Sequence, residues 1–244
     1  MTVWEALAIT AAGFLAGGIN TVVGSGSLIT FPVLVALGYP SVTANVSNTI
    51  GLVPGSVSGA IGYRRELRGQ ARRCAILASG TVTGALIGGI LLLSLPESVF
   101  DAVVPVLILF AVALMAFKRT PKSTAHQEHL TAALAVAFFT GIYGGYFGAA
   151  QGIIMLALMR LCFTDDLQRL NGMKNALVMV ANGIAALLFI AVADIAWEAA
   201  ALIAAGSIVG AQVGAKYGRR LDPEVLRWIV VIGCTVVAIV LFVT

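Results

Sequence analysis

Charge is what this sequence has least of. Only 11% of its 244 residues are Asp, Glu, Lys or Arg, while 59% are apolar, and the mean hydropathy is +0.99. Soluble domains carry about 25% charged residues, so a chain with this composition cannot cover a surface that faces water. The composition therefore excludes a soluble protein and indicates one that lives in a lipid bilayer.

The sequence also lacks the side chains that most catalytic and metal sites need. No Asp, Glu or His stands in the middle of an apolar segment, so we expect no enzyme, no cofactor and no metal ion. The three cysteines, Cys74, Cys162 and Cys234, show neither metal-ligand spacing nor an even disulfide framework. We interpret them as small apolar packing residues. The basic pI of 9.2 is explained by membrane topology, and nucleic acid is not an expected partner.

Long apolar runs are what the sequence has instead. Ala75–Leu95 contains no charge in 21 residues, and Ala102–Phe117 and Ile229–Val243 contain none either. A helix that spans a bilayer needs about 20 such residues, whereas barrel strands alternate over segments of about 10. The residues before the first apolar segment lack the basic start of a secretory signal, so we expect a retained helix from Val3. These features predict an all-α polytopic membrane protein.

The order of segments indicates a duplicated unit. Each half reads as a helix, a Gly-rich break, a short helix and three longer helices. We predict an N-terminal repeat over 1–117, a cytoplasmic connector over 118–128 and a C-terminal repeat over 129–244. Internal matches between the halves support this division. An offset of 128 superimposes Gly13, Gly17 and Gly24 on Gly141, Gly145 and Gly152, and an offset of 127 superimposes Asn48 on Asn175. An offset of 126 superimposes eight positions, among them Gly80 on Gly206 and Gly84 on Gly210.

The positions of the basic residues predict how the halves are oriented. All 15 Lys and Arg fall in four clusters: Arg64–Arg73, Lys118–Lys122, Arg160–Lys174 and Lys216–Arg227. If each broken pair, 3–37 and 130–161, returns to its own side, the repeats are inverted and every cluster faces one side. The positive-inside rule favours that topology, with basic loops in the cytoplasm and a multi-pass protein in the plasma (inner) membrane. Eight spans with parallel repeats are the alternative. Sequence does not decide whether the broken pairs are re-entrant or short spanning pairs.

The two breaks are the predicted binding site. The first combines turn glycines with the side chains of Asn20, Ser25 and Ser27, and the second supplies Tyr146 and Gln151. We predict that Ser25 or Ser27 caps the short helix that follows. Broken helices expose backbone donors, and a helix N-terminus favours an anion, so a small anionic substrate is expected between the breaks. The alternative is a Gly/Ser-lined helix crossing that binds no ligand.

A second polar patch opens the third helix of each half. Asn45, Asn48 and Thr49 share one helical face, which makes them candidates for lining a cavity. The counterparts in the second half are Asn171, Lys174 and Asn175. A lysine inside a membrane is a functional candidate by default, and Lys174 could offset the charge of an anion. Helix–helix hydrogen bonding for the amides and snorkelling to the headgroups for Lys174 are the alternatives.

These segments resemble the TauE/SafE family of sulfite-exporter-like permeases. The resemblance is strongest over residues 16–32 and 141–152, and it continues through 43–49 and 165–175. The chain departs from the usual Gly-rich form at Ala149-Ala150-Gln151, and it has Arg160 where the first half has Pro32. The resemblance implies duplicated halves and transport, often outward, of a small sulfur-containing anion such as sulfite, a sulfonate or sulfoacetate.

The sequence and the resemblance together predict a secondary transporter, an exporter that works by alternating access as its two halves rock about the breaks. The expected partners are the sulfur-containing anion and the lipid bilayer, and a homo-oligomer is left open. An anion channel with the same lining is the first alternative, followed by a scaffold and an intramembrane enzyme. The predicted substrate-binding residues are Asn20, Ser25, Ser27, Asn45, Asn48, Thr49, Tyr146, Gln151, Asn171, Lys174 and Asn175.

Overall fold

The computed structural model describes residues 1–116 and 128–218, and the regular structure in these ranges is entirely helical. The predicted connector up to residue 127, the basic residues of Lys118–Lys122 and Arg219–Arg227, and the predicted final helix lie outside the described residues. The helices are α1 (Val3–Val22), α2 (Ser27–Ala36), α3 (Ser41–Gly62), α4 (Ala71–Ser94), α5 (Glu97–Ala116), α6 (Leu130–Tyr146), α7 (Gln151–Cys162), α8 (Leu167–Val192) and α9 (Trp197–Tyr217).

The helix surfaces confirm a membrane protein. Among the described helices, α1, α4, α8 and α9 are long and apolar enough to cross a bilayer. Large apolar side chains point outward, with Leu187 67%, Phe139 65% and Val106 63% exposed. Side chains of this kind face lipid rather than water. The fold is that of an all-α polytopic membrane protein.

The helix boundaries give the offsets at which the two predicted repeats align. The ends of α1 and α6 and the starts of α2 and α7 are 124 positions apart, whereas α3 and α8, and α4 and α9, start 126 apart. The predicted offset of 128 at the breaks is therefore wrong by one helical turn. Glycines recur every four residues here, at Gly13 and Gly17 and again at Gly141 and Gly145, so a slip of four superimposes other glycines. At an offset of 126, Asn48 corresponds to Lys174 rather than to Asn175.

The equivalent helices α3 and α8 run antiparallel. Their contacts pair the start of one helix with the end of the other: Asn171 donates to Tyr63 Oη, Asn182 donates to Ser56 Oγ, and the amide of Ala196, just beyond α8, donates to Ser47 Oγ. Opposite directions for equivalent helices are the geometry expected of inverted repeats. Homology of the two halves, and with it the division into repeats, stays a prediction.

The first helix of each half packs on the fourth helix of the other half. In the α1–α9 contact, a Cβ on Gly17 would overlap the carbonyl of Ser207. In the α4–α6 contact, a Cβ on Gly84 would overlap the carbonyl of Phe138. Backbones approach this closely only where glycine removes the side chain, as is common between membrane helices. The two halves are therefore interleaved rather than side by side.

Arginines from two of the basic clusters lie at one end of the molecule, here called the basic end. Arg73, at the start of α4, pairs with Glu128 and at 2.7 Å with Asp165, and Arg169 pairs with the same Asp165 at 3.0 Å. The amide of His129 donates to the carbonyl of Cys162 at 3.0 Å. The start of α6 and the finish of α7 therefore lie at this same end of the molecule. The parallel-repeat alternative would separate Arg68 from Arg160, and this arrangement contradicts it.

Candidate functional site

The first break separates α1 from α2. Gly24 adopts φ +95°, which bends the chain back after α1. The N-cap of α2 is Gly26 and no side chain caps this helix, so the predicted cap by Ser25 or Ser27 is wrong. The amides of Leu28 and Ile29 bond instead to the backbone carbonyls of residues 25 and 26. Ser25 Oγ is fully buried without a partner, and Ser27 is half-buried.

The second break has a different internal structure. Gly148 takes φ +77° and Ala150 φ +58°, and Ala150 is the one described residue other than glycine with a left-handed backbone. Gln151 Nε2 donates to the carbonyl of Thr140 at 3.0 Å, and the side chain fills the space beside Gly144. Gln151 therefore ties α7 to α6, and its described hydrogen bond serves that tie rather than a binding site.

The two breaks touch each other. The amide of Gly152 donates to the carbonyl of Gly24 at 3.1 Å, and a Cβ on Gly152 would lie 2.6 Å from Gly24 Cα. A side chain at either position would separate the breaks. The polar segments of the two halves are thus brought to one place, where the sequence predicted the site.

Lys174 is the central charged group of this place. It is 0% exposed, and its Nζ donates to the carbonyls of Asn20 at 3.0 Å and Thr21 at 3.3 Å. Asn175 Nδ2 also donates to the Thr21 carbonyl, at 3.0 Å. These carbonyls belong to the last turn of α1, where about half a negative charge accumulates. The side chain points inward, so the snorkelling alternative is wrong.

No carboxylate balances the Lys174 ammonium in the part of the chain that the structure describes. The ion pairs there involve Arg73 and Arg169 at the basic end. Two of the three ammonium protons have carbonyl partners. A buried charge is costly unless it is paired, so Lys174 supplies positive potential that an anion would satisfy.

The asparagine side chains of α3 add further polar groups beside the two breaks. Asn45 Nδ2 donates to the Tyr146 carbonyl at 3.0 Å, and Asn48 Oδ1 accepts a hydrogen bond from Thr30. This leaves Asn45 Oδ1 and Asn48 Nδ2 buried without partners. An unsatisfied buried polar atom costs about 1–3 kcal/mol. Asn48 Nδ2 is therefore a donor placed ready for a ligand in the core.

Some predicted residues have other roles in the structure. Thr49 Oγ1 bonds to the carbonyl of Asn45 within its own helix. Asn171 Nδ2 donates to Tyr63 Oη at 2.9 Å, towards the basic end. Tyr146 contributes its backbone carbonyl, while its ring packs on Phe100 with 5.7 Å between centroids. The residues that the structure brings together are Asn20, Ser25, Asn45, Asn48, Lys174 and Asn175.

Sequence reasoning missed the Thr21 carbonyl and the Thr30 hydroxyl. Thr30 is the one hydroxyl in the apolar run 28–37, and a polar residue alone in such a run is a usable signal. The Thr21 carbonyl follows from the unsatisfied carbonyls of any helix C-terminus. The cluster of Phe31, Phe100 and Phe147, whose ring centroids lie 5.2–6.2 Å apart, was not predicted either.

This arrangement can hold a small anion. It combines one ammonium with amide donors in a buried setting, where electrostatic attraction is stronger than in water. Within residues 1–116 and 128–218, no three His, Cys, Asp or Glu side chains are grouped so that they could hold a metal ion.

Comparison with known proteins identifies the family of the chain. The family model "Sulfite exporter TauE/SafE" matches residues 9–241. A "Probable membrane transporter protein" of Haemophilus influenzae is 29% identical over 90% of this chain and 88% of its own length. "Probable membrane transporter protein ORF9" of Sinorhizobium sp is 27% identical (93% and 88%), and "Probable membrane transporter protein YfcA" of Escherichia coli K12 is 26% identical (92% and 84%). No solved structure matches the chain. The chain belongs to the TauE/SafE sulfite exporter family of membrane transporters.

Proposed function

We propose that this protein is a secondary transporter that exports a small sulfur-containing anion, such as sulfite, a sulfonate or sulfoacetate. The observation that carries the proposal is the buried ammonium of Lys174 at the meeting point of the two breaks, with backbone carbonyls as its described partners. Alternating access would expose this point to each side of the membrane in turn.

An anion fits the site because of its charge. The ammonium of Lys174 attracts negative charge, and Asn48 Nδ2 is a buried donor without a partner. A ligand that accepts hydrogen bonds suits each of these groups, and charge-assisted hydrogen bonds are the stronger kind. A neutral or cationic solute would leave the Lys174 charge without a counter-ion.

The choice of a sulfur oxyanion rests on the family. The matching family model carries the name of a sulfite exporter, and oxyanions of sulfur offer several acceptor oxygens on one small group. Several donors around one small volume suit such a ligand, since each oxygen can take its own hydrogen bond. An exporting direction follows the same family name.

The proposed binding groups come from two helices and the first break. Lys174 on α8, Asn48 on α3 and Ser25 beside α2 donate to the ligand. Asn45 and Asn175 hold the surrounding backbone, since their Nδ2 atoms donate to the carbonyls of Tyr146 and Thr21. Asn20 holds the break, since its Oδ1 accepts from the amide of Gly26 at 3.5 Å. Ser27, Thr49, Tyr146, Gln151 and Asn171 shape the surroundings of the site without a direct contact.

The membrane context completes the proposal. We infer that the protein is a multi-pass protein of the plasma (inner) membrane with its basic end in the cytoplasm, because Lys and Arg concentrate in cytoplasmic loops. Export then moves the anion from the end that holds Arg73 and Arg169 towards the end that holds Glu97 and Glu198.

Flux from proteoliposomes tests the function. Vesicles are loaded with sulfite, sulfoacetate, taurine, sulfate or chloride, and efflux is measured with and without a pH gradient. We expect saturable efflux of one sulfur anion, accelerated by the same anion outside. Flux that neither saturates nor shows counterflow would identify an anion channel instead. No movement of any of the five solutes would refute the sulfur-anion assignment.

A further inference from the structure

We propose that the bodies that move during transport are not the two halves of the sequence. They are two bundles, each of which includes the fourth helix of the other half. The first bundle contains α1, α2, α3 and α9, and the second contains α4, α6, α7 and α8. The surface between them, formed mainly by α3 and α8, is here called the seam. This inference rests on the proposed function, because it describes how a transporter would expose its site.

The first bundle is held together by backbone contacts between the sequence halves. A Cβ on Gly210 of α9 would overlap the carbonyl of Phe14 in α1. A Cβ on Gly55 of α3 would lie 2.6 Å from Ser207 Cβ of α9. Ser207 Oγ also donates to the carbonyl of Gly51 at 3.1 Å. Helices in such close contact cannot slide or separate without loss of packing along their length.

The second bundle has the same construction. A Cβ on Gly88 of α4 would overlap the carbonyl of Ile142 in α6, and one on Gly145 of α6 would overlap the carbonyl of Ala85 in α4. Its four helices also share an apolar core of their own. That core contains Leu77, Ala133, Ala137, Met155, Met159, Cys162, Phe163, Leu170, Met173, Leu177 and Val178.

The seam is packed differently. An open apolar groove of about 500 Å³ lies between the middle parts of α3 and α8 on the outer surface of the molecule, lined among others by Val53, Pro54, Ile184 and Leu187. Next to it the helices are joined by one polar contact, from Asn182 Nδ2 to Ser56 Oγ at 3.1 Å. Side-chain contacts at the edge of an open groove can be exchanged for others more easily than backbone contacts between glycines.

The binding site lies on this seam. Lys174 of the second bundle bonds to the end of α1 in the first, and Asn45 of the first bonds to the end of α6 in the second. The bond between Gly24 and Gly152 also crosses the seam. An anion that draws Lys174 away from the α1 carbonyls would therefore change the contacts between the bundles and bias the equilibrium between conformations.

Contacts across the seam also lie on either side of the site. Phe31 of the first bundle packs edge-on against Phe147 of the second, with 5.2 Å between centroids. Tyr63 and Asn171 form the contact nearer the basic end. Rocking of the bundles about the site would open one of these contacts while the other stays closed.

Two crosslinks distinguish the proposed bundles from the sequence halves, because both join residues of different halves. Ser58→Cys with Gln212→Cys lies within the first bundle, where the two wild-type side chains bond at 2.8 Å. Tyr63→Cys with Gly172→Cys crosses the seam, where a Cβ at 172 lies 3.7 Å from Tyr63 Cβ. Both pairs are made in a chain whose Cys74, Cys162 and Cys234 are replaced by serine, and both are treated with the same short bifunctional thiol reagent.

We expect the crosslink within the bundle to leave at least half of the anion flux, and the crosslink across the seam to abolish flux until a thiol reductant cleaves it. Loss of flux with both crosslinks would show that the sequence halves move and would overturn the proposal. Retained flux with the crosslink across the seam would overturn it as well. If the uncrosslinked parent chain moves no anion, the proposed function fails, and the bundles are then tested without flux.

That second test uses spin labels at exposed positions. Ile61 and Leu187 lie on opposite sides of the seam, whereas Ile61 and Val209 lie within the first bundle, and each pair again joins the two sequence halves. In lipid bilayers, we expect two distance populations for the first pair and one for the second. Two populations for both pairs, or one for both, would contradict the bundles whatever the substrate is.

Discussion

Gly152 donates its amide hydrogen to the carbonyl oxygen of Gly24 at 3.1 Å, so the breaks of the two halves lie directly against each other. Each break alone is a bend in a helix. Together they place the end of α1 beside Lys174, whose Cδ would lie 3.0 Å from a Cβ on Gly152. The contact between the two glycines is thus the structural basis of the proposed site.

Gly152→Ala should damage this contact. The new Cβ would lie 2.6 Å from Gly24 Cα, which backbone movement must relieve, and overpacking of this kind costs about 1–3 kcal/mol. We expect a lower unfolding temperature in detergent and a marked loss of anion flux. Gly183→Ala is the matched control, because a Cβ there meets nothing within 4 Å. Equal unfolding temperatures for the two variants would show that the breaks are not in contact.

Ala150→Gly should stabilise the protein. Ala150 has φ +58° and ψ +15°, a left-handed conformation that costs a residue with a Cβ about 1 kcal/mol relative to glycine. Ala149→Gly serves as the control, since Ala149 is buried and has no left-handed backbone. We expect the unfolding temperature to rise for the first variant and to fall for the second. A fall for both would mean that Ala150 is not strained.

The charged ends predict which residues a membrane-impermeant thiol reagent can reach. In intact cells of a chain without its native cysteines, Arg68→Cys and Arg160→Cys should both be protected, while Glu97→Cys and Trp197→Cys should react. The reason is that Lys and Arg stay on the cytoplasmic side. Labelling of Arg68→Cys and Arg160→Cys, with protection of the other two, would reverse the orientation. Labelling of only one of the two arginine positions would support the parallel-repeat topology.

Much of the fold follows from local sequence, because lipid forces each segment to satisfy its own backbone. Apolar runs predicted the helices, and the Gly-rich segments at Gly24 and Gly148 correctly predicted the breaks. The offset between the halves was misjudged because glycines recur every helical turn. The packing of α1 on α9 and of α4 on α6 was not predictable, since it depends on which distant glycines face each other.

Sequence indicated the place of the candidate site, and about half of the predicted residues meet there, but their hydrogen bonds were not predicted. An isolated lysine between Asn171 and Asn175 in an apolar segment was a clear signal, because burial of such a charge needs a reason. Its partners are backbone carbonyls of the α1 C-terminus, whereas the prediction concentrated on the N-terminus of α2. Side-chain type does not reveal which carbonyls a distant helix end leaves free, so neither this contact nor the missing serine cap could be read from sequence.

The most direct test of the account is the anion affinity of Lys174→Met, measured by flux with the anion that the wild-type protein moves. Methionine keeps the length of the side chain and removes its charge, so folding should be retained. Loss of a buried charge partner costs about 3 kcal/mol, which corresponds to roughly a 100-fold weaker apparent affinity. Lys216→Met, at the exposed end of α9, should stay within about twofold of wild type, as expected of an exposed charge. A folded Lys174→Met protein with wild-type affinity would contradict the account.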